Sequence, residues 1–150
     1  MANPSLVWKK ALIEFLDENH QPGDIIEHKW FLEHFRIETP ETQSREDWVK
    51  WNFTLLSYLA PFKEALLKHH LMDLQSIGGE KFQIMLPEEQ TKSAVLELGG
   101  SYRRIHKRCV TRLRYVDRDK LTQQQLQENA DALAKVAQLK ALAEPIWKKD

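Results

Sequence analysis

Apolar residues recur at helical spacing in three stretches of the first half of the chain. Residues 5–19 carry them three and four positions apart, which predicts a helix with one apolar face and Ser5 as its N-cap. A shorter helix is predicted for residues 28–35. A third is expected to begin after residue 44 and to run to about 70, with a kink or a restart at Pro61.

The third predicted helix carries apolar residues around most of its circumference. On a helical wheel of residues 46–60 they occupy one broad side, which consists of Trp48, Val49, Trp51, Phe53, Leu55, Leu56, Leu59 and Ala60. The narrow stripe that remains consists of Glu46, Asp47, Lys50, Thr54 and Ser57. We expect a central helix that is buried on most sides and leaves only this stripe free for contact with other molecules.

A turn signal separates two short apolar segments, residues 72–77 and 82–86. Apolar and polar positions alternate in the second segment, as they do in a half-buried strand. The turn contains Gly78 and Gly79, which supply the positive φ values of a tight reversal, so a β-hairpin is predicted. Earlier in the chain, the apolar pair at residues 25–26 is long enough only for a stub of strand.

From about Glu88 the chain is predicted to be helical again, with an interruption at Gly99 and Gly100. Residues 101–116 have the clearest amphipathic pattern of the chain. The apolar side consists of Tyr102, Ile105, Cys109, Val110, Leu113 and Val116. The basic side consists of Arg103, Arg104, Lys107, Arg108, Arg112 and Arg114. A final helix is predicted for residues 122–144, closed by Pro145, and the simplest arrangement folds the two helices back as a hairpin.

The chain of 150 residues has no net charge, but its charges are unevenly distributed. Residues 1–100 contain 10 basic and 16 acidic side chains, a net charge of −6, and residues 101–150 contain 12 and 6, a net charge of +6. Eight of the basic residues lie within residues 101–120, beside two acidic ones. Such asymmetry indicates a contact with nucleic acid or another polyanion at the basic end.

The composition excludes several classes of protein. With 42% hydrophobic and 29% charged residues the chain is expected to fold, and no apolar run approaches the roughly 20 residues of a membrane span. The N-terminus lacks the features of a signal peptide, so a cytoplasmic protein without a membrane contact is expected. The single cysteine cannot form an internal disulfide. No glycine loop for phosphates, nucleophile elbow or metal-ligand spacing is present, so neither an enzyme nor a cofactor or metal site is predicted.

The predicted order of helix, short strand, helix, turn, helix and hairpin resembles the winged helix-turn-helix family. Residues 22–28 (PGDIIEH) are similar to the first strand of that family and its entry into the second helix. Residues 66–90 resemble the end of the third helix followed by strand, wing and strand. The chain as a whole is similar to winged-helix proteins of bacteriophages and mobile elements that carry a helical tail. The resemblance implies a mainly α fold with a small β-hairpin (α+β class), in which a winged helix-turn-helix domain (residues 1–90) precedes a C-terminal helical hairpin (residues 91–150).

The resemblance also implies a function, the control of transcription or replication by binding double-stranded DNA in a bacterial host cytoplasm. The third helix would enter the major groove, and the residues that match its base-contacting positions are Arg45, Lys50, Thr54 and Ser57. Lys81 lies on the wing. The acidic charge of this domain opposes phosphate binding, whereas the basic side of residues 101–116 favours it. We therefore expect the basic helix to hold the phosphates and the third helix or the wing to contact bases.

Two alternatives remain open from the sequence. The basic side chains of residues 101–116 are either open to a polyanion or paired with carboxylates of the same chain. The acidic domain is either a partner of DNA or a protein-binding module that docks on a host polymerase or nuclease and inhibits or redirects it. The final helix, whose apolar residues occupy more than one side, offers a surface for a homodimer.

Overall fold

A computed structural model describes residues 3–147 of the chain. They form a mainly helical α+β structure with a small antiparallel sheet, which is the class that the sequence predicts. In chain order the elements are α1 (Pro4–Asp17), β1 (Ile25–Glu27), α2 (His28–His34), α3 (Arg45–His70), β2 (Leu74–Gly78), β3 (Lys81–Ile84), α4 (Pro87–Arg114), a 3-10 turn (Arg118–Lys120) and α5 (Gln123–Trp147).

The sheet joins the predicted hairpin to the short first strand. Its strand order is β1-β3-β2, and both neighbouring pairs are antiparallel. Gly79 and Glu80 form the two-residue loop between β2 and β3 and have φ values of 60° and 57°. Positive φ at both loop positions matches the right-handed twist of the strands, so the hairpin closes tightly. The predicted stub at residues 25–26 is confirmed as the edge strand β1.

Aromatic rings fill the core of the first three helices. Phe62 of α3 is fully buried and meets three other phenylalanines edge-on, with centroids 5.5 Å from Phe15, 5.5 Å from Phe31 and 5.7 Å from Phe35. The sheet adds a buried apolar face made of Ile26, Leu74, Phe82 and Ile84. Burying a side chain of this size stabilises a fold by about 1.5–3 kcal/mol, so this core accounts for the assembly of α1, α2, α3 and the sheet.

The first helix begins one residue earlier than expected. Asn3 is its N-cap, and the Asn3 side-chain oxygen accepts a hydrogen bond from the Ser5 backbone amide at 3.1 Å. Pro4 occupies the first helical position, where its missing amide hydrogen has no cost. The prediction that Ser5 is the cap is therefore wrong. Asparagine is as good an N-cap residue as serine, and Pro4 suits the position directly after Asn3.

The prediction that α3 is buried on most sides is also wrong. Its buried residues lie on one face and consist of Leu55, Leu59, Phe62 and Leu66. Val49, Phe53 and Leu56 are 43%, 69% and 57% exposed. The core contacts α3 from one side only, and the periodicity of the sequence does not reveal how many neighbours a helix has.

The predicted breaks at Gly99–Gly100 and Pro145 do not occur, and of the kink or restart predicted at Pro61 the restart is absent. The α3 helix continues through Pro61, α4 continues through Gly99 and Gly100, and α5 continues through Pro145 to Trp147. Glycine lowers the stability of a helix by about 1 kcal/mol but does not end it. A proline removes one backbone donor, and the remaining hydrogen bonds of the helix suffice to carry the chain past it.

The chain divides into two compact units, with the boundary between Gln90 and Thr91. We call residues 3–90 the N-terminal unit and residues 91–147 the C-terminal unit. None of the helices within residues 3–147 combines the length and the apolar character that crossing a bilayer requires.

Candidate nucleic-acid interface

One side of α4 is a largely apolar seam. Its members recur three and four positions apart and are buried or half-buried: Gly99, Tyr102, His106, Cys109 and Leu113. Ile105, which the sequence analysis assigns to the apolar side, is 52% exposed because it lies at the edge of this seam. A seam of two positions per heptad covers only a narrow part of a helix and leaves the rest of the surface to solvent.

The half-buried positions of α5 have the same spacing and include Leu126, Asn129, Leu133 and Val136. The Asn129 side-chain amide donates a hydrogen bond to the backbone oxygen of Leu113 at 3.1 Å, which links α5 to the end of α4. The sequence predicts that these two helices form a hairpin.

A capping box begins α5. The Gln125 backbone amide donates to the Thr122 hydroxyl at 3.2 Å, and the Thr122 backbone amide donates to the Gln125 side-chain oxygen at 3.0 Å. Two amides that a helix end leaves without partners are thus satisfied. The reciprocal bonds determine where α5 starts and hence which of its residues face the seam.

The opposite side of α4 is basic. We call its six cations the basic face: Arg103, Arg104, Lys107, Arg108, Arg112 and Arg114. All six side chains are exposed. They span 12 residues of a continuous helix, about 17 Å at 1.5 Å per residue. The sequence analysis assigns these residues to phosphate binding, and the structure places them together along one helix.

No ion pair involves a member of the basic face within residues 91–147. Arg103 donates to the backbone oxygen of Gly99 at 3.3 Å, and Arg104 donates to the Ser101 hydroxyl at 3.4 Å. Neither acceptor carries a charge. The C-terminal unit therefore does not neutralise these cations itself.

Three lysines of α2 and α3 in the N-terminal unit do have acidic partners. Lys29 lies 3.6 Å from Glu33, Lys50 lies 3.2 Å from Glu46, and Lys68 is paired with Glu64. Each partner is four residues away on the same helix. On α4, the residues four positions from Arg104 and Arg108 are further arginines, and like charges at that spacing destabilise an isolated helix by about 0.2–0.5 kcal/mol each. A bound polyanion would relieve this repulsion.

A shallow hollow of about 330 Å³ lies on α4. It is lined by the two arginines Arg104 and Arg108, together with Ser101 and Ile105. Two guanidinium groups and a hydroxyl group are suitable donors for the oxygens of a phosphate. The hollow is therefore a candidate position for a phosphate on the basic face.

The predicted base-contacting residues of α3 are accessible but largely engaged. Arg45 is the first residue of α3. All four predicted residues are exposed: Arg45, Lys50, Thr54 and Ser57. Thr54 donates its hydroxyl hydrogen to the Lys50 backbone oxygen at 2.9 Å, and Ser57 donates to the Thr54 backbone oxygen at 2.7 Å. Both hydroxyl groups can still accept a hydrogen bond. The side chains that share this outer surface include the large apolar ones of Phe53 and Leu56.

Lys81 is the first residue of β3 and directly follows the hairpin loop. It is exposed, and Glu80 precedes it. The loop consists of two residues, which makes the wing short. Its single cation and its single carboxylate give it little net attraction for phosphates.

A cavity of about 660 Å³ in the N-terminal unit was missed by sequence analysis. Lys10 of α1 and Arg36, which follows α2, line it together with the hydroxyl-bearing Thr54, Ser57 and Tyr58, beside an apolar wall. No signal in the sequence joins Lys10 to Arg36, because only tertiary packing brings α1 and the end of α2 together.

No group of three or more histidine, cysteine or acidic side chains within residues 3–147 is arranged to hold a metal ion. No family model, curated protein or solved structure matches the chain.

Proposed function

We propose that this protein binds double-stranded DNA and that the basic face of α4 holds the phosphate backbone. The observation that carries the proposal is the contrast in pairing between the helices. Three of the four lysines of α2 and α3 have carboxylates one turn away, whereas the six cations of the basic face have none within residues 91–147. Open cations on a rigid helix attract a polyanion through the release of its counterions.

We further propose that the N-terminal unit is a winged helix-turn-helix module. The order α1-β1-α2-α3-β2-β3 and the sheet order β1-β3-β2 support this assignment, since the tight hairpin of β2 and β3 follows the longest helix of the unit and pairs with the earlier strand β1. Control of transcription or replication in a phage or mobile element belongs to the proposal through the family resemblance alone.

The proposed binding is mainly independent of DNA sequence. Phosphate contacts position a protein on DNA but carry no sequence information. Base contacts by Arg45, Lys50, Thr54, Ser57 and Lys81 stay a prediction. The pairing of Lys50 with Glu46 and the apolar neighbours on α3 make them the weaker part of the interface.

A salt titration tests the proposal. Fluorescence anisotropy with a labelled duplex of about 20 base pairs would measure Kd at about 50 and 200 mM salt. Six phosphate contacts predict a loss of affinity of roughly 10³-fold over this range, because log K falls with a slope of about −0.9 per contact. Two duplexes of unrelated sequence should give Kd values within about threefold of each other.

A matched pair of variants distinguishes the contribution of the basic face to DNA binding from the effect of the protein's net charge. Changing Arg104, Lys107, Arg108 and Arg112 to alanine should weaken binding at 50 mM salt by at least about 100-fold and flatten the salt dependence. The control changes Lys9, Lys29, Lys68 and Lys135 to alanine, which removes the same charge from exposed positions elsewhere. Equal losses in both variants, or unchanged binding in the first, would overturn the assignment to the basic face.

A second candidate function is supported by the charge of the N-terminal unit. Residues 1–90 contain 9 basic and 15 acidic side chains, a net charge of −6. Such a surface complements the basic DNA channel of a polymerase or nuclease, to which the protein would bind as an inhibitor or a redirecting factor. If the duplex is not bound even at about 50 mM salt, and nuclease-treated host lysate still yields a nucleic-acid enzyme on the immobilised protein, this function replaces the first.

A further inference from the structure

The outer surface of α3 carries a row of exposed apolar side chains that is interrupted at one position. We call it the apolar stripe, and it consists of Val49, Phe53, Leu56, Ala60 and Leu67. Phe53 is its most exposed large side chain, and Leu67 at the other end is 37% exposed. The spacing is four, three, four and seven residues, which is the repeat of a helix that packs against another helix along its length.

The heptad position between Ala60 and Leu67 is occupied by Lys63, which is half-buried and not apolar. A lysine on a seam is compatible with a helix partner when its methylene chain lies on an apolar side chain and its ammonium group reaches solvent. An aromatic ring opposite it is especially suitable, because the ammonium group is attracted to the face of the ring.

Polar residues, two of them charged, lie beside the stripe along one side of α3. Lys50 and Ser57 directly follow stripe residues, and Glu64 follows Lys63. They therefore occupy equivalent positions in successive heptads, flanking the seam. Such flanking charges determine the partner and the orientation of paired helices.

These charges are self-complementary in one orientation only. In an antiparallel pair centred near residues 57–58, Lys50 lies opposite Glu64 of a second copy, and Glu64 lies opposite its Lys50. In a parallel pair, the flank that carries Lys50 and Glu64 would face the other flank of the second copy. That other flank holds Arg45, Asn52 and Leu59 and offers no ion pair. The antiparallel arrangement also places Lys63 opposite Phe53 of the second copy and Val49 opposite its Leu67.

We propose that the apolar stripe is the interface of a homodimer in which two copies of α3 pack antiparallel. The occupant of the stripe is a second copy, because the flanking charges complement their own sequence read in reverse. Glu46 and Lys50 pair within one helix at 3.2 Å, and Glu64 and Lys68 pair within the same helix further along. Antiparallel packing brings these two pairs together at each end as a cluster of four alternating charges.

The dimer goes beyond the proposed function and does not depend on it. It gives each assembly two basic faces. It also places Lys50 and Ser57 beside the interface, so the α3 dimer and base contacts by α3 are mutually exclusive. The interface differs from the α5 surface that the sequence analysis considers for dimer formation.

Sedimentation equilibrium of the full chain tests the proposal. The chain has a mass of 17.7 kDa, and a dimer of twice that mass is expected at micromolar concentrations. Phe53→Glu places a charge in the middle of the stripe and should weaken the dimer at least about 100-fold. The control Leu139→Glu makes the same kind of change at a 56% exposed leucine of α5 and should leave the dimer unchanged.

Charge reversal tests the orientation without altering the stripe. Lys50→Glu alone or Glu64→Lys alone should each weaken the dimer about tenfold or more, and the K50E/E64K double variant should return to within about threefold of the original Kd. Circular dichroism at low concentration verifies that each monomer keeps its helices.

The proposal would be overturned by a chain that is monomeric at 100 μM, in which case the stripe serves a partner of a different kind. It would also be overturned by a dimer that persists in Phe53→Glu or dissociates in Leu139→Glu. A double variant that remains as weak as the single ones would refute the antiparallel orientation. If Phe53→Glu does not fold, the charge-reversal set decides alone.

Discussion

The N-terminal and C-terminal units achieve their folds with very different amounts of buried apolar surface. In residues 3–90, side chains from three helices and a sheet enclose rings such as those of Phe15, Phe31 and Phe62, none of which reaches solvent. In residues 91–146, Gly99 is the one residue that the structure describes as buried. Since stabilisation scales with the apolar area removed from water, the N-terminal unit holds most of the folding free energy.

The units also differ in the environment of their cations. Three of the four lysines of α2 and α3 are paired one turn along their own helices, so these pairs present little net charge. On the basic face of α4, Arg104, Arg108 and Arg112 follow one another at four-residue spacing and repel one another, and no carboxylate within residues 91–147 pairs with them. A narrow apolar seam leaves room for this wide charged surface, which is the surface that we propose for phosphate binding.

The largest expected effect is in the aromatic core. Phe62→Ala should lower the free energy of unfolding of the N-terminal unit by about 3–5 kcal/mol, because a cavity opens between three rings. Phe53→Ala is the matched control on the same helix. With 69% of that side chain exposed, it should cost less than about 0.5 kcal/mol at a protein concentration low enough to keep the chain monomeric. Urea unfolding followed by tryptophan fluorescence measures both, and similar losses would refute the one-sided burial of α3.

A smaller effect is expected from the hydrogen bond that links the helices of the C-terminal unit. Asn129→Ala removes the donor to the Leu113 backbone oxygen and should destabilise this unit by about 1 kcal/mol. Gln124→Ala is the control, since that exposed amide contacts only Glu128 in the residues described. Hydrogen exchange of α5 should rise in the first variant and stay constant in the second. Faster exchange in the N-terminal unit instead would contradict the assignment of Asn129 to the hairpin.

Hydrophobic periodicity was sufficient to place most of the secondary structure. Alternation in residues 82–86 and the glycines before them predicted the hairpin, and the stub at residues 25–26 is a strand because β3 has a free edge for it. Periodicity could not determine which apolar side of α3 is covered. Phe53 and Phe62 are the same residue type on one helix, and only the positions of α1, α2 and the sheet make one exposed and the other buried.

The site was predictable to a similar extent. The spacing of residues 101–116 was enough to separate a seam from a basic face. It could not show that the arginines have no acidic partner within residues 91–147, since that depends on how α5 lies relative to α4. The approach of Lys10 to Arg36 also arises only in the folded unit.

Two glycines should respond oppositely to the same substitution. Gly79→Ala places a side chain at a φ of 60° in the hairpin loop and should destabilise the N-terminal unit by about 1 kcal/mol. Gly100 lies inside α4, and an added Cβ would meet no atom within 4 Å. Gly100→Ala should therefore stabilise the C-terminal unit by about 0.5–1 kcal/mol. Hydrogen exchange measures the stability of each unit separately and so reports both changes. A loss of stability in Gly100→Ala would indicate a break in α4 at this position.

The smallest expected effect concerns the pairing of lysines in the N-terminal unit. The hydrogen bond and the charge of Lys68 lower the pKa of Glu64 below its ordinary value, and the pair is exposed. A carboxyl group whose pKa is lower in the folded state contributes stability above its unfolded pKa and loses it as the pH falls through the folded value. Glu64→Gln should therefore lower the Tm slightly at pH 7, and the difference from the parent chain should vanish on acidification below that range. The measurement is a pair of Tm curves for monomeric protein against pH. A difference that persists in acid would mean that Glu64 acts through something other than its charge, and the contrast between paired lysines and the unpaired basic face would lose part of its support.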